Sequence, residues 1–320
     1  MPLSENSRGA AFMAVATVGF ALNDALLKVT FETMPISQGV FFRSLFASLF
    51  MLPLAFYTHA FRFRPGRKDK IALAVRTMGE IGATVFFMIG LSKISLADAT
   101  AVVQVTPLAV TMAAALFLGE PVGWRRWSAI GVGFIGVIIM IRPGAEGGIG
   151  SAVIYPIISV CFVVLRDIAT RQLSRDTPSL YASLLTSACV GLIALMVSFM
   201  EGWRAVSLET MGLYSGSAFA IMVGYVCMVV AMRTGDIASV SPFRYTVLMW
   251  AFIFGYLIFG DIPDLLTIVG ALIVAAAGLY TLWRETVLGR RVTLTSTNRP
   301  FAPVEGASLE APSKGEKEDA

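Results

Sequence analysis

From Gly9 to Arg284 the chain is a succession of continuous apolar runs, each about 15 to 24 residues long, separated by short polar joints. About 20 apolar residues carry a helix across ~30 Å of hydrocarbon, so runs of this length make the bilayer the solvent of the fold. Composition agrees. Hydrophobic residues make up 56% of the 320 and charged residues 14%, against roughly 25% charged in a soluble domain. A membrane β-barrel would alternate apolar and polar residues in short segments. These runs are continuous and rich in Leu, Ala, Val, Ile, Phe, Met and Gly, so helices are expected to satisfy the backbone.

The runs place ten spans at Gly9–Phe31, Ile36–Thr58, Ile71–Ser92, Ser95–Leu118, Ser128–Ile141, Ser151–Gln172, Leu180–Met200, Gly212–Met232, Ile237–Phe259 and Leu265–Arg284. The fifth is short unless it takes in Trp124 and Trp127 as interfacial anchors. The first lacks a basic leader and is expected to stay as a helix, not to be cleaved as a signal. Residues 285–320 turn polar, with Pro300, Pro303 and Pro312, and read as a disordered cytoplasmic tail.

Basic residues set the orientation. With the N-terminus inside, the cytoplasmic joints collect Arg8, the run from Arg62 to Lys70, Arg125, Arg126, Arg171, Arg175, Arg233 and the tail, against Lys93, Arg142 and Arg204 opposite. This asymmetry predicts a multi-pass protein of the cell (inner) membrane with both termini cytoplasmic. The net charge of +4 is thereby accounted for without a nucleic-acid partner. Cys161, Cys189 and Cys227 lie inside apolar runs without CxxC spacing, which points to neither a disulfide framework nor a metal site.

The chain also matches itself. A shift of 143 residues lays Asn23-Asp24-Ala25-Leu26-Leu27-Lys28 on Arg166-Asp167-Ile168-Ala169-Thr170-Arg171 and Pro35 on Pro178. A shift of 141 lays Leu118-Gly119-Glu120 on Phe259-Gly260-Asp261. Residues 9–142 and 151–284 are therefore two copies of a five-span unit. Five is odd, so the second copy enters the membrane from the opposite side, the inverted-repeat plan of many secondary transporters.

The stretch Leu118-Gly119-Glu120-Pro121-Val122-Gly123-Trp124-Arg125-Arg126-Trp127, followed by Gly131, Gly133 and Gly136 and closed by Ile141-Arg142-Pro143-Gly144, resembles the end of an EamA domain of the drug/metabolite transporter (DMT) superfamily. The second half ends in a looser copy. The resemblance implies an all-α integral membrane fold of ten transmembrane helices as two inverted EamA repeats, a central cavity, and transport driven by a gradient. The run Arg76-Thr77-Met78-Gly79-Glu80-Ile81-Gly82-Ala83-Thr84 is similar to the bacterial riboflavin and S-adenosylmethionine uptake members.

An ionisable side chain inside a span costs about 2.5–3.5 kcal/mol on insertion scales, so each one is a candidate for the pathway. Asn23 and Asp24 lie well inside the first span with Lys28 one turn on, where the (i, i+4) spacing lets Asp24 and Lys28 meet. Arg166, Asp167 and Arg171 occupy the matching places. Arg76 and Glu80 are four apart in the third span, Glu80 near mid-depth, where it is a candidate to carry a coupling proton. The matched positions in the second half are Ser217 and Ile221, so this pair is not part of the repeat. Arg43 and Arg244 are lone bases suited to a carboxylate or phosphate, or to pairing with a cavity acid. Thr106-Pro107 and Ser241-Pro242 break helices beside a hydroxyl, near Gln104 and Arg244. Phe20, Phe42, Phe86, Phe87, Phe243 and Tyr245 offer flat surfaces to a ring, although such residues are also ordinary packing in a span.

The sequence therefore points to a secondary transporter, with Asn23, Asp24, Arg43, Arg76, Glu80, Gln104, Arg166, Asp167 and Arg244 as pathway residues. It needs no cofactor, no metal and no catalytic residue. Its partners are a small-molecule substrate and lipid, as a monomer or homodimer. Uptake of riboflavin or a similar vitamin or nucleoside-like compound is the expected activity, with export of amino acids or related metabolites as the alternative. A channel, or an enzyme, is the rival class. The one histidine, His59, stands in a basic loop away from Ser215 and Ser217, and no GxxxxGK[ST] loop is present for an ATP-driven pump.

Overall fold

The computed structural model describes residues 5–119, 122–142, 151–174, 176–234 and 240–297, and these are helical with short joints and no strand. Among the described residues, ten helices are long and apolar enough to cross a membrane: α1 Glu5–Thr30, α2 Ile36–Tyr57, α3 Arg67–Leu91, α4 Leu96–Phe117, α5 Trp124–Ile141, α6 Ser151–Arg171, α7 Ser179–Glu201, α8 Leu208–Ala231, α9 Pro242–Phe259 and α10 Leu265–Arg284. The short fifth run does begin at Trp124, with Trp124 74% exposed. The last helix continues to Thr297, beyond the Arg284 where the apolar run stops. Residues 298–320, with the prolines of the tail, lie outside the described residues, as do Glu120, Pro121, Pro143 and Gly144 of the EamA-like stretch and Arg175.

Large apolar side chains such as Leu192, Leu257 and Leu272 are more than half exposed. In water such a surface would drive association, whereas facing lipid it is the required outcome.

The packing shows the repeat directly. The most extensive contacts are α1 on α8, α3 on α6, α5 on α10 and α2 on α7, then α2 on α8, α1 on α9, α3 on α7 and α4 on α6. Exchanging each helix with its counterpart five places along returns the same set of pairs. Small residues permit the closest crossings, as is usual between membrane helices, where no hydrophobic effect drives association. A Cβ on Gly19 would meet the carbonyl oxygen of Ala220 at 2.5 Å, one on Gly79 the backbone nitrogen of Arg166 at 2.8 Å, and one on Gly270 the carbonyl oxygen of Gly136 at 2.6 Å.

Gly119 and Gly260, matched by the 141 shift, both have left-handed φ, +67° and +70°. Each ends a membrane helix (α4, α9), where a left-handed residue lets the chain turn and satisfies the last carbonyls. The Gly260 nitrogen donates to the Tyr256 oxygen at 3.0 Å. The repeated apolar-Gly-acid joint is thus a repeated helix stop.

Candidate substrate pathway

A cavity of about 500 Å³ lies between the halves. The lining helices contribute to it by their own period. The α1 face presents Met13, Thr17, Phe20 and Asp24, with Asn23 beside them; the α6 face presents Ser159, Val163, Arg166 and Thr170, with Asp167. Arg43 comes from α2, Arg76, Glu80 and Phe87 from α3, Gln104 and Pro107 from α4, Thr186 from α7, Tyr225 from α8, and Arg244 and Tyr245 from α9. α5 supplies no described residue and α10 only Leu282, consistent with the two packing on each other outside the site.

All of the pathway residues expected from the sequence stand on this wall. Their partners differ from those that the local spacing suggested. Asp24 and Lys28 do not meet. Lys28 Nζ donates to the Ile94 carbonyl at 2.5 Å, lies 3.9 Å from Asp261 Oδ2 and stands 5.1 Å from the Phe259 ring centre. Arg76 and Glu80 do not meet either. Arg76 Nη1 donates to Thr186 Oγ1 at 2.5 Å, while Glu80 Oε2 accepts from Arg166 Nη1 at 3.1 Å. Arg166 Nε also donates to its neighbour Asp167 Oδ1 at 2.9 Å, so one guanidinium holds two acids. Packing directs this, since Gly79 lets the backbone of α3 approach that of α6 at Arg166 and brings Glu80 within reach.

Asp24 has a neutral partner. Asn23 Nδ2 donates to Asp24 Oδ1 at 2.8 Å, and Asn23 Oδ1 accepts from Ser217 Oγ at 2.8 Å. Among the described residues, Arg43, Gln104 and Arg244 make no direct side-chain hydrogen bond or ion pair, and Asp24 and Asp167 act as longer-range countercharges to Arg43 and Arg244. Of the aromatic candidates, Phe20, Phe87 and Tyr245 line the cavity, whereas Phe42 stacks on Tyr214 and Phe86 on Phe162.

Thr186, Ser217 and Tyr225 were not singled out by the sequence. Thr186 is reachable in retrospect, because the 143 shift lays it on Arg43. Ser217 is reachable in the same way, since the 141 shift lays it on Arg76, whereas Tyr225 carries no such signal.

Two helices are interrupted at the cavity. α4 is built of Leu96–Val103 and Thr106–Phe117, with Pro107 in the first turn of the second piece and Gln104 at the break. α9 begins with a 3₁₀ turn, Ser241–Tyr245, that carries Arg244. A proline cannot donate to the preceding turn, and irregular backbone at membrane depth is tolerated where it lines a cavity.

On the face of the bundle opposite the N-terminus the cavity is capped. Leu27, Leu91, Leu96 and Tyr214 are fully buried beneath that face. Over them polar ties join the two halves: Lys28 with Asp261, Asp98 with Thr267 at 3.1 Å, Arg142 with Asp264, and Gln38 with the Arg204 carbonyl at 2.7 Å.

A cavity shared by two inverted five-helix units, with buried charge from both, is a carrier's arrangement. Comparison with known families agrees, for the EamA-like transporter family model matches the chain twice, over residues 7–142 and 150–283. The chain belongs to the EamA-like transporter family. Its relatives include the S-adenosylmethionine uptake transporter of Rickettsia bellii, 26% identical over 88% of this chain and 96% of the relative. The riboflavin transporter of Rhizobium johnstonii is 27% identical over 87% and 91%, and the pseudopaline exporter CntI of Pseudomonas aeruginosa 24% over 84% and 94%. A solved crystal structure with TM-score 0.59 and 14% identity, aligned over 89% of this chain and 99% of its own, shares the fold.

Proposed function

We propose that this EamA-family chain is a secondary carrier that moves a small polar metabolite across the cytoplasmic membrane by alternating access, both termini lying in the cytoplasm. The observation that carries this reading is the charged cavity between the two halves, with Asn23, Asp24, Arg43, Arg76, Glu80, Gln104, Arg166, Asp167 and Arg244 on its wall. Its volume of about 500 Å³ falls within the ~300–1,000 Å³ of small-molecule sites. Rocking the halves about this site would open the capped face as the other closes, and the ties across it are the contacts to be exchanged.

The relatives differ in cargo and direction. Uptake of a flat vitamin such as riboflavin is supported by Phe20, Phe87, Tyr225 and Tyr245 on the wall. A carboxylate-bearing metabolite, as in amino-acid export, is favoured by the arginines, whose guanidinium groups match a carboxylate. Expression in hosts that require riboflavin, methionine derivatives or single amino acids separates these readings. Uptake restores growth on low external nutrient, and export depletes the cytoplasm and lowers growth. No growth effect and no change in cell content across the panel would overturn the carrier assignment.

A further inference from the structure

Three acids face the cavity and they are not equivalent. Glu80 and Asp167 both share Arg166. Asp24 makes no direct ion pair among the described residues, and the charge of Arg43 acts on it only from across the cavity wall. Its one hydrogen bond comes from the Asn23 amide at 2.8 Å and occupies a single oxygen. That amide is fixed in turn. Asn23 is 2% exposed and Ser217 0%; the carboxylate of Asp24 can only accept and so takes the amide nitrogen, while the serine hydroxyl donates to the amide oxygen at 2.8 Å. The inverted repeat sharpens the contrast, since the residue matched to Asn23 is Arg166, a cation. The second half carries its own countercharge where the first half carries a neutral amide.

An aromatic ring stands one helical turn from this carboxylate. Phe20 is one helical turn before Asp24 on the same face of α1, and its ring packs edge-on against Tyr225 with centroids 5.4 Å apart. A carboxylate with aromatic faces next to it is a site for an organic cation. The bases complement it. Arg76 is held by the neutral acceptors Thr186 Oγ1 and the Ala182 carbonyl, its Nε is buried without a partner, and Arg43 and Arg244 make no ion pair among the described residues. The four cavity arginines outnumber the three cavity acids, and the ligand has to supply an anionic group as well.

We propose that Asp24, bonded to Asn23 and with Phe20 one turn before it, binds the cationic centre of a zwitterionic metabolite whose carboxylate is taken by the cavity arginines. The cation is an ammonium or sulfonium group, and an uncharged ring system is not the preferred cargo. The proposal rests on the carrier reading and names its substrate class.

The test is ligand-induced thermal stabilisation of the purified full chain in detergent, which needs no transport. The probes are the twenty amino acids, S-methyl-L-methionine, the charge-deleted analogues of L-methionine 3-(methylthio)propylamine and 4-(methylthio)butanoate, and riboflavin. At least one zwitterion should bind, and removing either of its charges should weaken binding. Asp24→Asn should weaken binding of that zwitterion by about 10- to 100-fold, the usual range for losing a charge-assisted contact, and Asp24→Glu should recover part of it. Ser217→Ala keeps every charge but frees the amide. It should cost about 3- to 10-fold for the zwitterion and nothing for binding of the butanoate, which keeps the proposal testable should Asp24→Asn not fold. Riboflavin binding that is untouched by Asp24→Asn, with no zwitterion bound, would overturn the substrate class and leave the carrier standing. Zwitterion binding that is unchanged in both variants would overturn the role of Asp24. Failure of the carrier reading is seen separately, as the absence of exchange in proteoliposomes.

Discussion

Lys28 is the centre of the cap opposite the N-terminus, and its replacement by methionine tests whether that cap is a gate. Methionine keeps an unbranched apolar stem and removes the charge. The charge-assisted bond to the Ile94 carbonyl, 2.5 Å, is worth about 1.5–3 kcal/mol. The Asp261 contact is longer, 3.9 Å, and that acid is 37% exposed, so it adds at most about 1 kcal/mol. The Phe259 ring at 5.1 Å adds about 0.5–1 kcal/mol. Removing Lys28 therefore withdraws about 2–5 kcal/mol from the capped state, a shift of about 30- to 4,000-fold at 1.4 kcal/mol per decade. The assay is labelling by a membrane-impermeant maleimide, added from the capped side, of Val163→Cys in a background where Cys161, Cys189 and Cys227 are serine. Val163 lines the cavity and carries no polar contact. Lys28→Met should speed labelling at least about tenfold, and Asp261→Asn by under about fivefold, the factor for 1 kcal/mol. Labelling of Lys28→Met at the parent rate, or a larger effect from Asp261→Asn, would refute the assignment of Lys28 as the main tie.

Glu80→Gln leaves Arg166 with Asp167 alone. For a pair about a quarter exposed this should cost about 1–3 kcal/mol, seen as a lower unfolding temperature, together with a reduced maximal rate. Transport that retains its full pH dependence in this variant would remove Glu80 from proton coupling. Gly270→Ala should destabilise by about 1–3 kcal/mol because its Cβ would meet Met140 Cγ at 2.4 Å and the Gly136 oxygen at 2.6 Å, with KM unchanged, while Gly131→Ala, with nothing within 4 Å, should be neutral or slightly stabilising. Thr186→Val removes the 2.5 Å acceptor of Arg76 and should raise KM several-fold while the unfolding temperature moves little, because the Ala182 carbonyl remains.

The helices and their inverted relation were legible because hydropathy and helix-stop glycines are local properties. Gly119 and Gly260 announce themselves by position alone, at the end of an apolar run before an acid. The membership of the cavity wall was legible for a similar reason, since a charge inside a span has to face something polar. The pairing was not legible. The (i, i+4) rule describes the surface of an isolated helix, and Asp24 with Lys28 and Arg76 with Glu80 both satisfy it in sequence. In the bundle, helix crossings decide. Glu80 meets Arg166, 86 residues away, because Gly79 lets α3 and α6 touch, and Ser217 meets Asn23, 194 residues away, across α1 and α8. Nor does the end of an apolar run end a helix. Residues 285–297 keep helical geometry, with helix formers such as Glu285, Leu288 and Arg290 among them, where the apolar run had stopped.

Exchange across a sealed membrane tests alternating access most directly. With the purified chain in proteoliposomes loaded with unlabelled ligand, a carrier should accumulate labelled ligand transiently against its gradient, saturably, and only when the inside is preloaded. Lys28→Met should alter the rate of that exchange without making the vesicles leak. Flux that rises linearly with concentration and ignores preloading would identify a channel and contradict the account.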